Sequence, residues 1–171
     1  MEVTGLCFLI LISVLSVISD FRGKRIPNYL ICSGWAVGLL YQIVLKGLSG
    51  LYFFLFGSLV PIFILFVLFI FRMLGAGDIK LLSVLGGFLG SNATFVCIIL
   101  SFLFEALIAI IKFAVNRNLL SRLQYLAEYF KELFLEKKIK PYYVPVENDN
   151  NIVHFSLGIL MALLVYLGVL Y

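Results

Sequence analysis

Three acidic side chains sit in or at the edges of long apolar runs: Asp20, Asp78 and Glu105. An ionised carboxylate is costly inside a bilayer, so an acid in such a place is a candidate for chemistry. Two carboxylates brought face to face cannot both ionise, and the pair then holds one proton. The ionised member can take a proton from water, while the protonated member polarises a carbonyl and later protonates the leaving amine. That is peptide hydrolysis without metal, cofactor or covalent intermediate. The same acids would also suit a small proton- or cation-coupled transporter that uses Asp20, Asp78 and Glu105 as ion sites. Position separates the two readings: a transporter wants its acids near the membrane midplane, whereas Asp20 and Asp78 fall where apolar runs end or begin.

The elements that must position these acids follow from composition. The chain has 171 residues, 63% of them hydrophobic and 13% charged, with a mean hydropathy of +1.13. A soluble domain carries about a quarter charged residues, so the expectation is an all-α, polytopic membrane protein in which residues 1–171 form a single integral unit. The net charge of +4 comes without a basic, aromatic-interleaved soluble patch, so no nucleic-acid partner is expected. A bilayer core of about 30 Å needs about 20 helical residues. Six candidate spans emerge at roughly 2–19, 28–46, 51–71, 79–92, 94–114 and 152–171, with a tight turn near Ser91-Asn92. The first span has no basic residue before it and no small-residue cleavage site, so it reads as retained rather than as a signal peptide.

With residues 20–27 placed in the cytoplasm and the spans alternating, only Lys46 of the 13 basic residues falls on the far side. This positive-inside bias places Asp20 and Asp78 at the cytoplasmic face and both termini outside. Two spans separate the acids and return the chain to the same face, so contact between them is possible despite their distance in sequence. The fourth span is short, which would sink Asp78 into a depression open to the cytoplasm. Residues 119–138 place Leu119, Leu123, Leu126, Phe130, Leu133 and Phe134 on one helical face and charges on the other, a pattern for a cytoplasmic amphipathic surface helix. Residues 141–151 read as a loop. The helical core is thus 1–114, the surface segment 115–151 and the last span 152–171.

The neighbours of the acids have their own logic. Gly75 and Gly77 precede Asp78 and permit a bent backbone and close approach of another chain; an ordinary helix start with Asp78 near the N-cap is the alternative. Pro27 suits a first helical turn and Asn28 can bond backbone there. Arg25 and Lys80 either steer the carboxylates or anchor helices at the headgroups. Glu105 is expected to be a neutral, hydrogen-bonded interhelical contact, and His154 a structural histidine without a partner. Cys7, Cys32 and Cys97 lack metal-ligand spacing and are expected to be small buried hydrophobes.

The run "SDFRGKRIPN" followed by "GAGDIKLLSVLGGFLG" resembles the type IV prepilin peptidase family, polytopic aspartic proteases of the Gly-x-Gly-Asp type. The first family motif stands here as Asp20, Arg25, Ile26, Pro27 and Asn28, the second as Gly75, Gly77, Asp78 and Lys80. The resemblance covers about residues 1–115. It implies that Asp20 and Asp78 are the catalytic pair, and that the partner is a prepilin-like or preflagellin-like precursor. The cut would fall at the cytoplasmic membrane face, between a basic leader and the hydrophobic helix that follows. Larger bacterial members carry an insertion with paired Cys-x-x-Cys motifs and also methylate the new N-terminus. Neither cysteine pair occurs here, so the chain is similar to the short forms associated with tight-adherence pili or archaeal flagella, and methyl transfer is not expected.

Overall fold

The computed structural model describes residues 3–23, 26–71, 73–115 and 154–170. Among these residues every regular element is helical: α1 (Val3–Gly23), α2 (Asn28–Lys46), α3 (Leu48–Ile70), α4 (Ala76–Leu89), α5 (Ser91–Val115) and α6 (Phe155–Val165), which runs on through a wider π-type turn at Tyr166–Leu170. The chain is an all-α, polytopic membrane protein. Four of the helices, α1, α2, α3 and α5, are long and apolar enough to cross a membrane.

The short fourth element is the centre of the bundle. In α4 Ile79 and the whole run from Leu81 to Phe88 are buried, against α3, α2, α5, α1 and α6. At 1.5 Å per residue its 14 residues reach only about 21 Å. A helix covered by protein on all sides has no need to match the thickness of a bilayer by itself. Small residues set the closest approach: a side chain on Gly57 of α3 would strike the carbonyl of Gly86 in α4, and one on Gly86 would strike the carbonyl of Gly57. Such contacts hold helices together in lipid, where apolar burial alone offers little preference for protein over acyl chains. Phe88, 1% exposed, receives Phe8 and Tyr41 at ring-centroid distances of 6.0 and 5.9 Å, joining α1 and α2 to the same core. Polar links add direction: the indole of Trp35 donates to Ser83 Oγ at 2.9 Å.

Several expected boundaries move. Helix α1 continues three residues past Asp20 to Gly23, because charge ends an apolar run but not a helix, and Arg22 in the last turn suits the helix C-terminus. The turn expected at Ser91-Asn92 lies at Gly90, whose φ of 85° is open to glycine at little cost. The link between α2 and α3 is the single residue Gly47, also at positive φ. Of the three cysteines only Cys97 is buried; Cys7 and Cys32 lie on the outside of the bundle. In a membrane protein that outer surface is apolar too, so a small hydrophobe has no reason to prefer the core. The amphipathic segment 119–138 and the loop 141–151 lie outside the described residues, as does Arg25.

Candidate functional site

The acids meet at one end of the bundle. Asp20 comes from the last turn of α1, Asn28 from the first residue of α2, Asp78 and Lys80 from the first turns of α4. Asp20, Ile26, Asn28, Gly75, Ala76, Gly77, Asp78 and Lys80 line one cavity of about 370 Å³, a size suited to a small group or a short stretch of extended chain. Asp20, Asp78 and Glu105 all lie within Coulombic reach of one another.

Local sequence explains how each group is held. Gly75 is the N-cap residue of α4, with φ −72° and ψ 143°. Asp78 is the third helical residue and its carboxylate folds back to the backbone N–H of Gly75, half of the capping-box arrangement. A side chain on Gly75 would come within 2.9 Å of Asp78 Oδ2. Gly75 therefore makes room for the carboxylate of Asp78 itself, and the chain that approaches Gly77 is the first motif: a Cβ there would lie 3.3 Å from Ile26 Cβ. Pro27 occupies the N-cap position of α2 rather than the first turn, and Asn28 is the first helical residue. The Oδ1 of Asn28 accepts from Lys80 Nζ at 3.0 Å. One hydrogen bond thus ties the two motifs across the cavity.

Two contributors were not expected. Ser156 Oγ donates to Asp20 Oδ2 at 2.6 Å, and His154 Nδ1 lies 3.2 Å from the same oxygen. Phe21, next to Asp20, stacks on the imidazole with centroids 4.4 Å apart. The reading of His154 as a histidine without a partner is corrected by these contacts. The alternation of spans had placed the start of the last helix at the Asp20 face, so the signal existed, but a single His and a single Ser do not form a motif. Glu105 of α5 makes the expected interhelical contact, against Gly158 of α6, where a Cβ would lie 2.9 Å from its Oε2; the hydrogen bond expected of it is not found at that oxygen, which is buried without a partner among the described residues. Among the described residues no group of three or more His, Cys, Asp or Glu is arranged to hold a metal ion.

The helical bundle and its acid-lined cavity define a membrane protein of the polytopic, carboxylate-bearing kind. A family model described as the type IV leader peptidase family matches residues 7–110, well over half of the chain and both motifs. The chain belongs to that family and is a peptidase of its general type. No curated protein and no solved structure matches it.

Proposed function

We propose that this chain is an aspartic endopeptidase in which Asp20 and Asp78 are the catalytic pair, removing the basic leader of prepilin-like or preflagellin-like precursors at the cytoplasmic membrane face. The observation that carries the reading is that Asp20 and Asp78 line one cavity, inside the segment that the family model covers. One carboxylate activates water, and the other, protonated, polarises the scissile carbonyl. Lys80 and Asn28, bonded to each other, close the cavity between the motifs, Gly75 and Gly77 line its wall, and Pro27 starts α2 just before Asn28. Arg25 belongs to the same first motif. The basic residues around 20–27 support the cytoplasmic placement. The position of both acids at helix ends, rather than mid-helix, supports peptide hydrolysis over ion transport. The 1–171 stretch works as a single unit.

The test is cleavage of a prepilin-like precursor co-expressed with the protein and followed as a mobility shift. Asp20→Asn and Asp78→Asn each abolish the shift, by about 10³-fold or more if direct removal of an acid–base group sets the scale, while both variants remain in the membrane fraction. Chelators leave the wild-type rate unchanged. A variant of either Asp that cuts at the normal rate overturns the pair.

A further inference from the structure

The geometry points to Ser156 and His154, at the start of α6, as positioning residues that hold Asp20 with Oδ2 bound and Oδ1 turned to water, making Asp20 the base of the pair and leaving the shared proton with Asp78. This rests on the peptidase reading above, and it reaches beyond the segment that defines the family, because both residues lie outside residues 7–110.

The argument starts from α1. Asp20 sits in the last turn of that helix, where the carbonyl ends of the peptide dipoles oppose a negative charge. An ionised Asp20 therefore needs compensation from elsewhere, and α6 supplies it three times. Ser156 donates a short hydrogen bond of 2.6 Å to Oδ2, in the range of a hydroxyl bound to a carboxylate anion. His154 Nδ1 approaches the same oxygen at 3.2 Å. The N-terminal turn of α6, an 11-residue helix beginning at Phe155, directs its positive end to the same place. The imidazole is not used for the ordinary work of its position: His154 is the N-cap residue of α6 but makes no side-chain cap bond. The side chains of Asp20 and His154 are only 14% and 17% exposed, so bulk water does little to weaken the contact.

Asp78 has a different environment. Its carboxylate folds onto the Gly75 backbone, and it lines the same cavity as Asp20. Two side-chain groups on one oxygen of Asp20 and none of that kind recorded for Asp78 among the described residues give the two acids unequal tasks. The inequality is fixed by the fold before substrate arrives.

The experiment compares steady-state cleavage of a prepilin-like peptide by purified full-length variants in detergent. Ser156→Ala lowers kcat about 10- to 100-fold, the scale of a misplaced catalytic group, with KM unchanged within a few-fold. Ser156→Thr, which keeps the hydroxyl, restores most of kcat. His154→Asn, which keeps a nitrogen donor near the Nδ1 position, retains more activity than His154→Phe, which keeps only the stacking on Phe21. Ser13→Ala is the control, since Ser13 is equally buried but donates to the Leu9 carbonyl in its own helix at 2.8 Å. Wild-type kcat in Ser156→Ala overturns the inference, as does a loss in KM alone or a Thr variant as impaired as the Ala variant. If Ser156→Ala does not fold, the Thr variant and the His154 pair decide. The two levels of the argument separate cleanly: an Asp20→Asn variant that still cuts overturns both the peptidase pair and the positioning role, while a dead Asp20→Asn beside a fully active Ser156→Ala overturns the positioning role alone.

Discussion

The Asp20 end and the Gly90 end of the bundle are made from the same helices, yet they treat polar groups in opposite ways. At the Gly90 end side-chain donors turn inward to carbonyls freed where helices stop. Gln42 Nε2 donates to the carbonyls of Gly87 and Phe88 at 3.2 and 2.9 Å, and Thr94 Oγ1 donates to Gly90 at 2.7 Å. Lys46 rests its ammonium 3.7 Å over the Phe53 ring. The connections there are single glycines. At the Asp20 end polar side chains line one cavity, and longer connections join the helices. One end is built for closure, the other for access. Stability and reactivity are therefore expected to reside in different residues.

Substitutions can break that division, and the largest effect belongs to the packing that both ends share. Gly57→Val drives a side chain into the Gly86 backbone and is expected to cost about 3 kcal/mol or more, seen as loss of the thermal transition in detergent. An unaltered melting curve would mean that α3 and α4 are not in such close contact. Next comes Gly75→Ala, whose Cβ displaces the Asp78 carboxylate. Cleavage falls about 100-fold with melting unchanged; full activity would show that the carboxylate has room to spare. Lys80→Met lowers kcat/KM about 10-fold, roughly 1.4 kcal/mol. The double variant with Asn28→Ala then adds little further loss, because the two share one bond. The smallest effect is at the closed end: Gln42→Leu costs about 1 kcal/mol of stability and leaves the cleavage rate as it was. A fall in rate for Gln42→Leu would mean that the two ends communicate.

Much of this was legible in the residues, for reasons that can be named. The helical bundle follows from long apolar runs. The meeting of Asp20 and Asp78 follows from counting: an even number of crossings brings a chain back to the face it left. The family match was legible because the motifs combine types that rarely coincide by chance. What stayed hidden depended on tertiary contact. Ser156 is one serine in an apolar helix, and nothing local marks it as a donor to a residue 136 positions away. Gly75 suggested close approach of another chain, and the seat it also gives the Asp78 carboxylate turns on one side-chain rotamer that no local pattern reveals. The turn at Gly90 was displaced by one or two residues because Ser-Asn and Gly are both good turn formers, and only a positive φ decides between them.

The bonds from α6 to Asp20 also set an order in time. Asp20 leaves the ribosome early, while His154 follows 134 residues later, a delay of roughly 7–27 s at about 5–20 residues per second. Asn28, Asp78 and Lys80 all emerge in that interval, so the cavity walls and both acids are in hand while the two groups that meet Asp20 Oδ2 are still to be made. A membrane-resident hydrolase of this design carries both acids through insertion before α6, which brings Ser156 and His154 to Asp20, has been made.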